Sequence, residues 1–209
     1  MSRIVSVNVG EPRNVEFRGR IVSTGIYKFP IEGAVRVEGV NLVGDDQADR
    51  RVHGGVHKAV YAYASEDYEW WSTQLGRTVP PGMFGENLTT RGVNVGGAVV
   101  GQHWRIGDVV LEVSEPRTPC YKLGIRMEDS GFPQVFSAAD RPGSYLRIVA
   151  EGSLATGDRI EIGAPPGHGL TVGDVARIYD RYHHEAGRLL GAAQLSDPWK
   201  RWARRFARL

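Results

Sequence analysis

The sequence predicts a mainly β body followed by a small helical unit at the carboxyl end. Short runs of alternating apolar and polar residues recur up to residue 162. The 27 glycines are scattered among 209 residues, more than the interiors of a helical bundle tolerate. After a segment rich in Gly and Pro at residues 163–169, the pattern becomes helical. We therefore expect a β-barrel or sandwich over residues 1–163, and a linker with a three-helix domain over residues 164–209.

Period-two alternation marks the clearest strands, at residues 5–9 and 109–113. Gly107-Asp108 joins two such runs and predicts a two-residue hairpin turn, and Gly157-Asp158 predicts a second one. No helix alternates with these strands, which argues against a doubly wound parallel sheet. Further strands are expected at residues 34–37, 58–63 and 145–150.

Capping signals locate the helices of the body. Ser65 is expected to cap a helix that ends at Gly76, and Glu66 and Asp67 place negative charge in its first turn. A second helical stretch is expected after Cys120.

The carboxyl-terminal helices also have local signals. Thr171 and Asp174 form a capping box, a short helix is expected at residues 185–193, and Asp197-Pro198 begins the last helix. Because three short helices bury little surface alone, we expect them to dock on the barrel or on a second subunit.

Composition limits the class of protein. The 26 Lys and Arg residues nearly balance the 24 Asp and Glu residues, for a net charge of +2, and 41% hydrophobic residues suffice for a core. No apolar run is long enough for a membrane span, and no leader-type apolar block is visible. The single cysteine, Cys120, fits a reducing compartment. We expect a cytoplasmic protein.

The segment of residues 51–58 concentrates hydrogen-bond donors around two glycines. Gly54 and Gly55 let the backbone approach a ligand and present successive N–H groups to an anion, while His53, His57 and Lys58 add donors. A plain Gly-Gly hairpin is the alternative interpretation. The two histidines share the spacing of a zinc-binding helix, but the glycines disfavour a helix and the glutamate of that motif is absent.

Two further segments carry candidate groups. Glu86 and Asn87 begin an expected strand and offer acceptors and donors to a heterocycle such as a pterin, although a capped turn explains them equally well. Arg117 and Lys122 flank Cys120 with positive charge, which favours the thiolate needed by a nucleophile or a metal ligand. A buried, inert cysteine is the alternative.

Four motifs occur in the order found in MOSC-domain proteins, the family named for the molybdenum cofactor sulfurase C-terminus. The chain resembles the bacterial YiiM-like branch most closely over residues 4–162, and its last three helices resemble the small helical domain of that branch. The motifs are residues 24–30, residues 44–45 with 53–55 and 58–60, residues 84–88, and residues 116–123.

This resemblance implies a MOSC-type β-barrel in which Cys120 binds the molybdenum of a molybdopterin-type cofactor. A soft thiolate suits this metal. His57 stands where relatives more often carry an acidic residue, so the resemblance does not fix the choice of substrate. The candidates for holding the cofactor phosphate are Lys28, His53, Gly54, Gly55, Lys58 and Arg117, and those for facing the pterin or substrate are Glu86, Asn87 and Lys122.

The resemblance also implies an activity. Family members of this kind reduce N-hydroxylated compounds, including hydroxylamino base analogues, with two electrons passed through molybdenum. We therefore expect a small N-hydroxylated substrate and a flavoprotein-type electron donor as partners. In this hypothesis Cys120 anchors the metal, and a nearby acid supplies protons.

Several alternatives stay open at this stage. The same motifs would serve a molybdenum cofactor or sulfur carrier without turnover, and a zinc hydrolase using Cys120 is the least favoured. The last helix carries apolar Trp199, Trp202, Phe206 and Leu209 on one side and five cations on the other. We expect it to dock on the body, with a homodimer as an expected assembly. Membrane-surface contact, an acidic redox partner and a nucleic-acid-binding module are the alternatives, although nucleic acid is not an expected partner.

Overall fold

The computed structural model of the protein describes residues 1–48 and 54–207. Most of its regular structure is β, as the sequence predicts. Within the described ranges the strands are β1 (Arg3–Val9), β2 (Arg13–Phe17), β3 (Arg20–Thr24), β4 (Phe29–Pro30), β5 (Val35–Glu38), β6 (Asn41–Leu42), β7 (Val60–Ala64), β8 (Leu88–Arg91), β9 (His103–Ile106), β10 (Val109–Pro116), β11 (Ser144–Ala150), β12 (Gly152–Leu154) and β13 (Glu161–Ile162).

The main sheet has eight strands in the order β13-β9-β10-β11-β7-β8-β1-β4. It is mixed, because β7 and β8 run parallel while the other neighbours are antiparallel. The sheet curls into a half-barrel. On its open side, two backbone hydrogen bonds of 2.9 Å connect the segment before β13 to the start of the chain. The Ile160 N–H donates to the Ser2 carbonyl, and the Ile4 N–H of β1 donates to the Asp158 carbonyl.

One predicted hairpin is confirmed and the other is wrong. Gly107, with a φ of 58°, turns β9 into β10, and Val109 pairs with Ile106. The strands around Gly157-Asp158 do not pair with each other. Instead β12 pairs with β5 in a small three-stranded sheet with β6, and β13 pairs with β9. The second hairpin fails because these long-range partners outcompete the local turn.

Within the described ranges the α-helices lie at three places along the chain. The first helix, α1 (Ser65–Leu75), has Ala64 as its N-cap, so the expected capping by Ser65 is wrong, and Gly76 follows it with a left-handed φ of 63°. Every helix of the described ranges is too short or too polar to cross a membrane. The α-helices are α1 (Ser65–Leu75), α2 (Tyr121–Met127), α3 (Phe132–Ala138), α4 (Val172–Asp180) and α5 (Asp197–Phe206), and 3-10 helices cover Val56–Lys58 and His183–Gly191.

The carboxyl-terminal helices share their core with the sheet. The capping box of Thr171 and Asp174 is present at the start of α4, whereas the expected middle helix is a 3-10 helix. Val175, Leu189 and Trp199 belong to the same cluster of buried apolar side chains as the strands of the main sheet. These helices therefore dock on the half-barrel, as expected of segments too small to bury a core alone. The domain boundary after residue 163 stays a prediction.

A second, aromatic core supports the other face of the sheet. Tyr63, Trp71, Phe84, Phe132 and Phe136 are almost completely buried there. Their ring centroids lie 5.1 to 6.3 Å apart in stacked, tilted and edge-on pairs, which adds to the burial energy of each ring. This cluster joins α1 and α3 to β7 and forms the base under the segment that carries Cys120.

The capping box predicts a measurable loss of stability in Thr171→Ala. The Thr171 hydroxyl accepts from the Asp174 N–H at 3.0 Å, and the Asp174 carboxylate accepts from the Thr171 N–H at 3.1 Å. We expect the unfolding free energy in urea to fall by about 1 kcal/mol. Thr73→Ala, at an exposed position of α1, is the matched control and should change it by less than about 0.5 kcal/mol. Equal losses in both variants would contradict the role of the box.

Candidate functional site

A pocket with an empty volume of about 700 Å³ opens at one end of the main sheet. Most of its lining comes from the turn between β3 and β4, the loop after β6, the turn before β8, and the segment that links β10 to α2, and Lys58, Ala59, Tyr61, Lys122 and Tyr145 complete it. Six of the sequence-predicted site residues line it. They are Lys28, Lys58, Asn87, Arg117, Cys120 and Lys122.

Cys120 lies where the chain leaves the sheet. Pro116 is the last residue of β10, and Cys120 is the N-cap of α2, with its carbonyl accepting from the Leu123 N–H at 2.9 Å. Its side chain is half-buried. The prolines at positions 116 and 119 restrict the backbone on the approach to the thiol. The cysteine is therefore held at a defined position, at the wall of the pocket and still accessible.

Arg117 contributes a buried positive charge. The residue is 6% exposed, and its guanidinium lies 5.3 Å from the ring of Phe136 and 5.8 Å from that of Tyr61. Its Nη1 atom is buried and has no hydrogen-bond acceptor among the described residues. A buried, unsatisfied donor on a cation is costly, so this atom is suited to an anionic ligand group.

Lys28 lies in the same pocket but carries a counter-ion. Its ammonium forms an ion pair with Asp45, and both side chains are buried. The Asp45 carboxylate also accepts from the Gly10 N–H at 3.0 Å and from the Asn87 amide at 2.9 Å. Asp45 was absent from the predicted site residues, although the Gly44-Asp45 pair belongs to the motifs that carry the family resemblance.

Asn87 connects the pocket to the sheet. Its carboxamide oxygen accepts from the Tyr61 N–H at 3.0 Å, and its amide nitrogen donates to Asp45 and to the Asn8 carbonyl, the latter at 3.3 Å. The amide donors and the carbonyl acceptor of this side chain therefore all form hydrogen bonds within the protein. A pterin contact by Asn87 stays a prediction, while its structural role follows from these bonds.

The glycine segment lies partly outside the described residues. This applies to His53, whose expected role stays a prediction. Gly55 adopts a φ of 88°, its N–H donates to Gln47 at 2.8 Å, and it lines neither pocket of this region. Gly54 lines a neighbouring pocket, whereas Lys58 lines both. The segment therefore enters the site mainly through Lys58.

Glu86 lies behind the pocket wall. It is fully buried and accepts hydrogen bonds from the Tyr68 hydroxyl at 2.7 Å, the Gly82 N–H at 2.6 Å and the Thr89 hydroxyl at 2.8 Å. Burial raises the pKa of Glu86, and the three donors oppose that rise. In this arrangement Glu86 holds the turn before β8, and its expected contact with a ligand stays a prediction.

Two aromatic residues of the pocket, Tyr61 and Tyr145, were not among the predicted site residues. Tyr61 on β7 and Tyr145 on β11 are register partners, and their ring centroids lie 5.1 Å apart. Burial raises the pKa of Tyr145 to about 12, although the charge of Arg117 opposes the rise. Its hydroxyl therefore stays protonated at neutral pH. No local sequence signal could reveal a pair created by strand register.

The described residues offer no classical multi-ligand metal centre. Within residues 1–48 and 54–207, no three His, Cys, Asp or Glu side chains are grouped to hold a metal ion. A zinc hydrolase site needs at least three such ligands, and His53, one of the candidate histidines, lies outside the described residues, so that alternative stays untested. A metal delivered inside an organic cofactor, by contrast, needs few ligands from the protein.

The class of protein is indicated by a curled mixed sheet that carries a cysteine beside a basic pocket. Residues 49–161 match the model of the MOSC domain family, and the chain belongs to this family. Within it the chain is YiiM-like. It is 32% identical over 189 residues to protein YiiM of Escherichia coli, with 85% of this chain and 82% of that protein covered.

Other relatives agree with this assignment. The chain is 34% identical over 202 residues to the uncharacterized protein YflK of Bacillus subtilis, covering 94% of this chain and 90% of that protein. The crystal structure of YiiM from Geobacillus stearothermophilus superimposes with a TM-score of 0.81 at 26% identity, covering 99% of each chain. A protein named reductase from Gibberella moniliformis is 31% identical over 183 residues, which cover 84% of this chain and 32% of that protein.

The buried carboxyl predicts a pH-dependent stability difference in Glu86→Gln. Because the pKa of Glu86 is raised above its ordinary value of 4.5, its contribution to stability is largest below about pH 4.5 and decreases as the pH rises through the folded-state pKa. The stability advantage of the original chain over Glu86→Gln, measured in urea between about pH 4 and 8, should therefore shrink with rising pH. Glu16→Gln, exposed on β2, should show no such trend. An advantage that grows with pH would contradict the assigned direction.

Proposed function

We propose that this protein is a molybdenum-cofactor-dependent oxidoreductase that reduces N-hydroxylated compounds, including hydroxylamino base analogues. The observation that carries the proposal is the combination of a half-buried cysteine and a buried arginine with an unfilled donor in one pocket. Membership of the MOSC family and the name of the Gibberella relative support the oxidoreductase class. The proposal goes beyond that class in naming the cofactor and the substrate.

The residues present fit a molybdopterin-type cofactor. Cys120 would supply the thiolate ligand, which suits a soft metal. Arg117 would satisfy its buried Nη1 atom on the cofactor phosphate, and Lys122 adds positive charge to the same wall, whereas the charge of Lys58 is partly balanced by Glu115 at 3.5 Å. Lys28 would contribute less charge, because Asp45 already neutralises it. When bound, such a cofactor supplies a centre that exchanges two electrons.

The reaction requires electrons and protons in equal number. Conversion of an N-hydroxyl group to an amine takes up two electrons and two protons and releases one water molecule. We assign the electrons to a flavoprotein-type donor. On the protein side, Lys58 and Lys122 can deliver protons, and the neutral hydroxyl of Tyr145 can donate a hydrogen bond to the departing oxygen.

Cys120→Ser tests the proposal most directly. We expect protein made in cells competent for cofactor synthesis to lose bound molybdenum and N-reduction together, because a serine hydroxyl is a poor ligand for this metal. The thermal midpoint of the cofactor-free variant should stay unchanged, since the side chain is half-buried and similar in size. Metal analysis, an N-reduction assay with an efficient donor, and thermal unfolding are the measurements.

The possible outcomes separate the proposal from its main alternative. Full activity in the metal-free Cys120→Ser protein would overturn the proposal. A fully loaded original protein with no turnover would instead favour the cofactor or sulfur carrier.

Arg117→Gln tests the anion-binding side of the pocket. Loss of a charge-assisted hydrogen bond should lower the affinity for the cofactor roughly 10- to 100-fold. Stability of the cofactor-free protein should change by less than about 1 kcal/mol, because the lost ring contacts are offset by the removal of a buried cation. The matched control is Arg105→Gln, exposed on β9, which should retain full cofactor content. Normal cofactor content in Arg117→Gln would contradict the assignment of Arg117 to the binding site.

A further inference from the structure

A second pocket lies between the sheet and the carboxyl-terminal helices. Its empty volume is about 960 Å³, and residues from the segment before β7, from β10, α4 and α5 line it. It shares Lys58 and Thr118 with the pocket that contains Cys120. A molecule in this second pocket would therefore lie next to the proposed reaction site.

One wall of this second pocket is aromatic. Tyr179 of α4 lies 5.0 Å from Trp199 and 5.1 Å from Trp202, centroid to centroid, and the two indoles of α5 lie 6.5 Å apart. Trp199 is 9% exposed, whereas Tyr179 is 38% exposed. The cluster is thus anchored in the core on one side and open to the pocket on the other.

The remaining lining of the second pocket is mainly polar. Glu115 is 3% exposed, accepts from the Ser196 hydroxyl at 2.5 Å and lies 3.5 Å from the Lys58 ammonium. His57 has a buried Nδ1 atom without a hydrogen-bond partner among the described residues. Burial and the charge of Arg147 lower the pKa of His57, so its imidazole is neutral at pH 7 and can accept or donate a hydrogen bond.

We propose that this second pocket binds the planar heteroaromatic ring of the substrate, with Trp202 and Trp199 as specificity-determining residues. Indole faces bind flat rings by stacking, and the polar side offers acceptors and donors to the nitrogen-bearing edge of a heterocycle. The identification of this ring as part of a substrate rests on the proposed function. Binding of the ring itself depends only on the walls of the pocket.

A third pocket, under the β2–β3 hairpin, competes for the same role. It is lined by Cys120 together with Phe17 and Tyr121. These two rings stack on each other, with centroids 5.5 Å apart and planes inclined by 26°. Arg18 and Arg20 supply its charge, and it has no buried carboxylate among its lining residues. This pocket is therefore less suited to a neutral heterocycle.

Adenine binding to the full chain without cofactor tests the proposal. Isothermal titration measures affinity, and quenching of tryptophan fluorescence reports proximity to the indoles. We expect Trp202→Leu to weaken adenine binding about tenfold or more, the effect of losing one stacking ring. Trp70→Leu is the matched control, because Trp70 is also half-buried but lies on α1 outside this pocket. It should bind adenine as the original chain does.

Each outcome of the titration supports or contradicts binding of the ring in the second pocket. Absence of adenine binding at millimolar concentration, or equal affinity in Trp202→Leu and the original chain, would overturn the ring site. A loss confined to Tyr121→Leu would assign the ring to the hairpin pocket instead. If Trp202→Leu does not fold, Trp202→Phe replaces it in the titration. We then expect the adenine affinity to be retained and the amplitude of fluorescence quenching to change. Unchanged quenching would contradict the ring site.

A second measurement separates failure of the ring site from failure of the proposed function. In cofactor-loaded protein, Trp202→Leu should raise the KM for N6-hydroxyadenine about tenfold with kcat little changed, and leave the KM for N-hydroxyurea unchanged. Equal changes for both substrates would refute the ring site and leave the reductase intact. Tight, Trp202-dependent adenine binding without any N-reduction would refute the reductase and leave the ring site intact.

Discussion

The site depends on the hydrogen bonds of Asn87 at the junction of three strands. Its backbone N–H donates to Tyr61 O at 2.8 Å, and its carbonyl accepts from the Asn8 N–H at 2.7 Å, which ties the turn before β8 to β7 and β1. The carboxamide then reaches the Asp45 carboxylate, which holds Lys28. A buried amide without a hydrogen bond destabilises the folded protein. These bonds therefore stabilise one arrangement of the sheet edge and of the loop after β6.

This arrangement leaves the pocket with an asymmetric set of charges. Lys28 and Lys58 have carboxylate partners in Asp45 and Glu115, so much of their charge is balanced inside the protein. Arg117 is buried against aromatic rings and keeps one donor unfilled. A folded chain tolerates such a cost where binding recovers it. The arginine beside Cys120 is therefore the position where an anionic group of a ligand gains most.

Local chemistry was predictable from the sequence, and long-range pairing was not. The turn at Gly107, the capping box at Thr171 and the charged segment around Cys120 each depend on neighbours in the chain. The register of Tyr61 against Tyr145 and the pairing of β12 with β5 depend on residues far apart. For the site, this meant that Cys120 and its flanking cations were found as one segment, whereas the tyrosines were missed.

The β2–β3 hairpin shows the same limit at a local turn. Its central residues Arg18 and Gly19 both have positive φ values, 52° and 71°. Such turns favour Asn or Asp at the first position, because arginine pays a steric cost in the left-handed region. The Arg-Gly pair lacks the Asn-Gly or Asp-Gly signature of such turns, and the hairpin beside Cys120 went unpredicted. Residue preferences predict the turns that local sequence favours, and they do not predict turns that are stabilised by tertiary contacts.

The carboxyl-terminal helices link the fold to the chemistry. Their small apolar faces cannot form a core alone, so α4 packs on β10, and buried residues of all three helices belong to the main apolar cluster. That packing places Ser196 against Glu115, and Glu115 lies two residues before Arg117 on the same segment. The last helix is thereby fixed relative to the cysteine pocket through one buried carboxylate. Residues of α4 and α5 thereby line the second pocket, next to the segment that carries Cys120.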